Sequence, residues 1–334
     1  MHVKFRGKMK IYIWLLLLLI SCKSDYQEEV LFNASFDSTR ELLGSLNNAF
    51  EKFYQQKFKK SIKVNQSNAS SSKQRNSILF GLKANIASLA LYRDINILAD
   101  NSFLNKNWQS FYPNNSSPYG SLIVMLVRKN NPYNIHDWHD LLTQNVAIIT
   151  PNPKTSGAAV YNYMALLKYA EDHYKTEIEI ENFMTKIFKK VPMLDSSSRN
   201  ATLSFTSRNL GDVLISWENE ALYITKHLFP NEYEIIYPSI TIKIDFPVAE
   251  VTKVTQKNNN HILAKTYIDY LFSDEAQDII SSNYFRPYNK LYETKYNFKN
   301  IDDIKSFSIW EIANWDKTIA NHLDSGGLFD KIYS

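Results

Sequence analysis

The stretch 146–169 limits the fold of this chain more than any other. The apolar run VAII at 146–149 ends at Thr150, crosses PNPKTSG at 151–157, and reopens at 158–169 as AAVYNYMALLKY, a helix-forming composition. A short β-branched run, a tight loop and a helix start make a βα unit, the element from which parallel sheets are built. Pro151 and Pro153 stiffen the loop, and Gly157 allows close approach of another backbone. Ser156, Gly157 and Ala158 would point free backbone N–H groups, and the positive end of a helix dipole, at whatever lies above the strand. An anion fits there; an ordinary βα turn looks the same, and the loop alone leaves both readings open.

The rest of the chain repeats the pattern. Strand-like runs at 30–34, 62–65, 121–127, 212–216, 233–237 and 248–254 alternate with amphipathic helical stretches at 39–53, 73–82, 218–227 and 262–272. This α/β order predicts mainly parallel sheets covered by helices. With 334 residues and 44% hydrophobic content the chain can fill two medium-sized cores, so two lobes are expected. The runs at 121–127 and 248–254 suit crossings between them. They would divide the chain into a first lobe at 30–120, a second at 121–247, and a return at 248–334 to the first lobe with C-terminal helices.

Lys4, Arg6, Lys8 and Lys10 precede an apolar run at 11–20, and Leu19, Ile20 and Ser21 lead into Cys22, the only cysteine. The pattern is that of a signal peptide at 1–21, since the apolar run is about half the length of a membrane span. Leu-Ile-Ser-Cys resembles the bacterial lipobox, which implies cleavage before Cys22, lipidation of its thiol, a polar tether at 22–29, and a periplasmic protein anchored to a membrane. A single thiol spent on lipid leaves no disulfide. Of the 38 Lys and Arg, four lie in the leader; the remaining 34 equal the 34 Asp and Glu, so the body is neutral. It lacks the cationic excess that a nucleic-acid binder needs.

Four further strand ends share the logic of the opening loop. The run 30–36 leads into Asp37, 62–66 into a serine-rich loop at 67–72, 193–195 into 196–200, and 213–216 into Trp217, whose indole N–H can only donate. Each alone is ordinary helix capping. Together they are strand ends decorated with donors, and in open α/β sheets ligands bind beyond the carboxyl ends of strands. Rival constellations are thinner. Ser70 and Lys73 have the SxxK spacing of serine acyl-transfer enzymes, but no SDN accompanies them and KTSG at 154–157 is not KTG. His136 and His139, expected on a surface helix, have no further ligands nearby, so neither a metal nor a cofactor is implied. Tyr161 and Tyr163 point apart on a helix and are expected to pack.

The segments NASFDSTREL (33–42), PNPKTSG (151–157), LDSSSRNAT (194–202), GDVLISWENEA (211–221), NYFRP (283–287) and GGLFDKIY (326–333) carry a resemblance. In order, and over almost all of the chain after the leader, they resemble the periplasmic sulfate-binding proteins, the substrate receptors of sulfate and thiosulfate ABC importers. The resemblance implies a type II periplasmic-binding fold, in which two α/β lobes close on a dehydrated oxyanion held by uncharged donors. It implies as ligands the N–H of Asp37, the hydroxyls of Ser71 and Ser156, the N–H groups of Gly157, Ala158 and Ser198, and the indole of Trp217. The first two would lie on one lobe and the others on the second, with Arg199 bracing the site from behind. It also implies a monomer that binds sulfate or thiosulfate and delivers it to permease and ATPase subunits on other chains. Asn68, Ala69, Ser70 and Ser72 replace the family's histidine and glycines; Ala158 and Ser197 stand where it has glycine, and Ser198 where it has alanine. Backbone donors tolerate such changes while φ stays negative. Sulfate is a dianion with acceptors only, whereas phosphate keeps a proton, so donors without an inward carboxylate favour sulfate. No catalytic base or nucleophile is required. The alternatives are a serine acyl-transfer ectoenzyme using Ser70 and Lys73, or a receptor for phosphate or molybdate.

Overall fold

A computed structural model describes residues 28–333, so the expected leader and the lipidation site Cys22 lie outside the described residues. The chain opens with β1 (Glu29–Phe36), α1 (Arg40–Phe58), β2 (Ile62–Ala69), α2 (Ser71–Leu79), β3 (Ile86–Ser88) and α3 (Tyr92–Asp100). Next come β4 (Tyr119–Arg128), β5 (Ile148–Pro151), α4 (Gly157–His173), α5 (Glu177–Phe188), β6 (Leu194–Asp195), α6 (Ser198–Thr206), β7 (Val213–Trp217), α7 (Glu218–Tyr223), β8 (Tyr233–Ile236) and β9 (Thr241–Asp245). The rest comprises β10 (Val248–Glu250), α8 (His261–Leu271), α9 (Asp274–Ser282), β11 (Arg286–Pro287), β12 (Ser306–Ser308), α10 (Trp315–His322) and α11 (Leu328–Tyr333).

The fold is α/β with two sheets, each the centre of a lobe. The smaller has the order β10-β3-β1-β2; β1 runs parallel to β2 and β3, and β10 closes the edge antiparallel. The larger follows β12-β9-β4-β7-β5-β6, with β8 and β11 also paired to β4. There β5 is parallel to β6 and β7, and β4 runs antiparallel to all its partners. Burial follows from the sequence. All of β4 but its last residue is buried, with an unbroken apolar run at 122–127, whereas α1 buries Leu42, Leu46, Phe50 and Tyr54 at helical spacing. The chain passes between sheets three times, between α3 and β4, between β9 and β10, and between α9 and β11. The first passage contains a left-handed turn at Asn114, Asn115 and Ser116 (φ 50°, 52° and 62°), which Asn114 Nδ2 ties to Asp245 Oδ1 at 3.2 Å.

Four expectations need correction. The stretch 248–334 does not return as a whole to the first lobe: β10, α8 and α9 do pack there, but β11 joins β4 and β12 joins β9. The third crossing is fixed by Arg286, whose guanidinium forms a buried double hydrogen bond with Glu218 at 2.6 and 2.8 Å. The run 248–254 is strand only to Glu250 and then turns into a one-turn helix, Thr252–Thr255. The serine loop at 67–72 shrinks to Ser70, because β2 stays in register with β1 until Phe36 faces Ala69. His136 lies in irregular chain, its ring paired with Asn134 at 2.8 Å, and His139 lies in the turn that leads into a one-turn helix at Asp140–Thr143.

Candidate functional site

The helices α1, α2, α4, α6 and α7 each begin at the carboxyl end of the strand before them, α1 through a 3-10 turn at Asp37–Thr39. Acidic residues are favoured in a helix's first turn by the macrodipole, and α5 and α9 have them in Glu177, Glu179, Asp274 and Glu275. The first turns of α2, α4 and α6 have none. Their positive ends are left for an anion from outside.

These helix starts converge. A Cβ built on Gly157 would lie 3.2 Å from Ser71 Cβ, 3.1 Å from Ala90 Cβ and 3.3 Å from Leu91 Cγ, so α4 of the larger lobe touches the smaller one there. Tyr161, one turn along, donates its hydroxyl to the Ala90 carbonyl at 3.1 Å, while Tyr163 pairs with His322 at 3.0 Å; both rings pack, as their spacing implied. The Trp217 ring is held edge-on by Phe36 at 5.5 Å and Tyr161 at 6.5 Å, with Phe246 4.8 Å away. α6 packs on the Asp37–Thr39 turn, where the Asp37 carboxylate lies against Ser197. The structure thus sets Gly157 against Ser71, Trp217 against Phe36, and Asp37 against Ser197, the residue before Ser198.

Their donors differ in availability. Trp217 Nε1 is buried and has no hydrogen-bond partner among the described residues. A buried unmade hydrogen bond costs about 1–3 kcal/mol, a cost that a ligand acceptor would relieve. Ser156 caps α4 without a side-chain bond to the helix, so its hydroxyl is not spent there. Gly157, Ala158 and Ser198 lie in first turns, where no helical carbonyl precedes their N–H groups. Ser71 departs from expectation: its hydroxyl donates to Asp94 Oδ2 at 2.5 Å and accepts from the Ala90 N–H at 3.1 Å. A hydroxyl has one proton, and here Asp94 holds it. Burial pushes the Asp94 carboxyl above its usual value, against the pull of Ser71 and of Arg75, which binds the other oxygen at 2.5 Å. Burial also raises Asp37, opposed by Ser197 and the backbone N–H groups of Asp37 and Ser38.

The motifs are linked to one another in space. Arg199 of SSSRNAT crosses the cleft to Glu41 of DSTREL at 2.6 Å, Lys154 of PNPKTSG meets Asp330 of GGLFDKIY at 2.7 Å, and Glu218 of SWENEA holds Arg286 of NYFRP. Behind Arg199 lies Glu220, buried, with the Thr202 hydroxyl against its carboxyl. Burial pushes its carboxyl up to about 7; Arg199 pulls it down, and Glu41 and Asp37 push it further up. Sequence reasoning missed Asp94 and Glu220. Glu220 had a faint signal, an acid two residues past Glu218 at a helix start; Asp94 had none. Of the acyl-transfer pair, Ser70 caps the start of α2, its carbonyl accepting from Gln74 at 3.0 Å, and Lys73 is exposed to solvent.

Residues 32–286 match the family described as bacterial extracellular solute-binding protein. The sulfate-binding protein of Salmonella typhimurium is 40% identical over 318 residues, covering 95% of this chain and 96% of its own. The thiosulfate-binding protein of Escherichia coli is 40% identical over 314 residues, covering 92% and 91%. Among solved structures, the sulfate-binding protein SubI of Mycobacterium tuberculosis shares the fold with a TM-score of 0.78 at 24% identity, covering 89% of this chain and all 100% of that one. The family match and the near-full-length relatives at 40% identity lead to one conclusion: the chain is a bacterial extracellular solute-binding protein, within the sulfate- and thiosulfate-binding group.

Proposed function

We propose that this protein captures sulfate, or thiosulfate, outside the cytoplasm and hands it to an ABC permease. The observations that carry the reading are the buried Trp217 indole N–H, without a partner among the described residues, and three helix N-termini with bare first turns. A dianion there accepts from Trp217, from the N–H groups of Asp37, Gly157, Ala158 and Ser198, and from Ser156. Ser71 joins by turning its proton from Asp94 to the anion, and Asp94 keeps its bond to Arg75. Each hydrogen bond to a charged group contributes about 1.5–3 kcal/mol, and each helix end up to about 2 kcal/mol when partly buried. The relatives are binding proteins, and nothing in this set of donors asks for a nucleophile. Calorimetric titration with sulfate, thiosulfate, phosphate and molybdate tests the reading; no heat with either sulfur oxyanion overturns it. A second reading, a receptor for a protonated oxyanion such as phosphate, rests on the Asp37 carboxylate beside Ser197, an acceptor for an oxyanion's proton. Preference for phosphate in the same titration would select it.

Anchoring belongs to the proposal as well. Cys22 following Leu19, Ile20 and Ser21 supports a lipid anchor on the periplasmic side of a membrane. Cys22→Ala should move the protein from the membrane to the soluble fraction of cells; a wild-type chain already soluble would refute the anchor.

A further inference from the structure

The C-terminal segment from 306 to 333 is fastened unequally to the two lobes. On the larger lobe it is packed into the core. β12 pairs with β9, Ile319, Leu323, Leu328 and Phe329 are each 5% exposed or less, and the Phe329 ring meets Phe188 at 5.3 Å and Tyr163 at 6.2 Å. His322 Nδ1 pairs with Tyr163 at 3.0 Å, and the Tyr333 hydroxyl donates to the Phe188 carbonyl at 3.0 Å. On the smaller lobe it holds the start of α3. Arg93 donates through both terminal nitrogens to the two Asp324 oxygens at 3.1 Å each, and Trp310 meets Tyr92 edge-on at 4.9 Å. Arg93 and Asp324 are 37% and 45% exposed.

The turn presenting Asp324 is tied down by polar contacts. Lys154 of the larger lobe donates to the Asp324 carbonyl at 3.1 Å and pairs with Asp330 at 2.7 Å, while Gly326 N–H donates to Asp330 Oδ2 at 2.8 Å. Gly326 has φ +80°, and a Cβ on Gly327 would lie 2.8 Å from the His322 carbonyl carbon, so both positions require glycine. Beside the ion pair opens a cavity of about 490 Å³ that reaches Ser156 and Gly157 and is walled by Arg75, Arg93, Lys154 and Trp315. If the lobes part, the buried apolar contacts with the larger lobe hold, and the break falls at the exposed, salt-screened pair.

We propose that this segment is a clasp: it travels with the larger lobe, grips the smaller one through Arg93 and Asp324 on closure, and sets how long a captured anion stays. The inference rests on capture between closing lobes, so its test includes a measurement that needs no ligand. Asp324→Asn, Arg93→Gln and the double variant are made in a chain carrying Cys22→Ser. Spin labels placed at Lys52 and Lys175 report the interlobe distance in ligand-free protein, and stopped-flow tryptophan fluorescence reports sulfate release. Each single variant and the double should lengthen the ligand-free distance and raise the release rate by the same factor, about two- to fivefold at low salt. The difference should vanish near 1 M salt, where the screening length is about 3 Å. Distances and release rates equal to wild type overturn the clasp, as do single effects that add in the double variant. Absence of sulfate binding in the wild type would sink the proposed function instead, and the ligand-free distances would still judge the clasp.

Discussion

Gly157→Ala separates lobe closure from fold stability in one substitution. The added methyl would sit 3.1 Å from Ala90 Cβ, 3.2 Å from Ser71 Cβ and 3.3 Å from Leu91 Cγ, all three on the smaller lobe, whereas Gly157 belongs to the larger. Carbon atoms rest about 3.5–4.0 Å apart, so three contacts at once are too short and the lobes must back away by a few tenths of an ångström. Overpacking of this kind costs about 1–3 kcal/mol, which converts to roughly a five- to 150-fold weaker anion complex. Within its own helix the change runs the other way. Gly157 has no left-handed φ to protect, and Ala is favoured over Gly in helices by up to about 1 kcal/mol. Sulfate affinity by calorimetry should therefore fall while the thermal midpoint of the ligand-free chain holds or rises, because without ligand the lobes can open to relieve the contact. Affinity within twofold of wild type would refute the argument. So would a loss of ligand-free stability equal to the loss of affinity, since the methyl would then be straining a single lobe.

Trp217→Phe keeps the ring against Phe36 and Phe246 but removes the unpartnered indole N–H; sulfate binding should weaken about ten- to hundredfold at unchanged melting temperature, and an unchanged dissociation constant would remove Trp217 from the site. Glu220 keeps its proton in the folded chain up to about pH 7 but loses it near 4.5 when unfolded, so between these values the folded state binds more protons and stability falls as pH rises. The full loss is about 3 kcal/mol, complete above pH 7, and urea unfolding from pH 4.5 to 8 should show Glu220→Gln lacking that slope; an identical slope in the variant would place the titration elsewhere.

The sequence alone shows what depends on neighbours along the chain. The loop 151–157 and the helix after it were legible because prolines, glycine and apolar spacing act locally. The strand end at Trp217 was legible because β-branched and apolar residues run up to it and an acidic helix start follows. The end of β2 was not. Serines at 67–72 look like a loop, yet pairing with β1 holds the strand to Ala69, and tertiary pairing outweighs local preference. The state of Ser71 was equally hidden, because it is set by Asp94, 23 residues away on another helix. The path of the C-terminal segment depended on Arg286 finding Glu218, 68 residues earlier. The resemblance located the candidate ligands; it could not show which of their protons are already engaged.

The smaller sheet takes its first three strands from residues 29–88 and its fourth, β10, from 248–250. The lobe that begins the chain is finished only after strands β4 to β9 of the other lobe have been made. Its core bonds span that gap: Tyr267 donates to Asn47 across 220 residues, and Asn33 donates to Tyr267 across 234. Contacts so distant in sequence carry a large loop-closure entropy before they return any energy, and chains rich in them fold slowly. Strands β4 to β9 of the larger lobe follow one another without interruption and can pair before β10 closes the smaller sheet, while β11 and β12 are added afterwards. A cleft needs both walls, so the capacity to hold an anion is the last property this chain acquires as it folds.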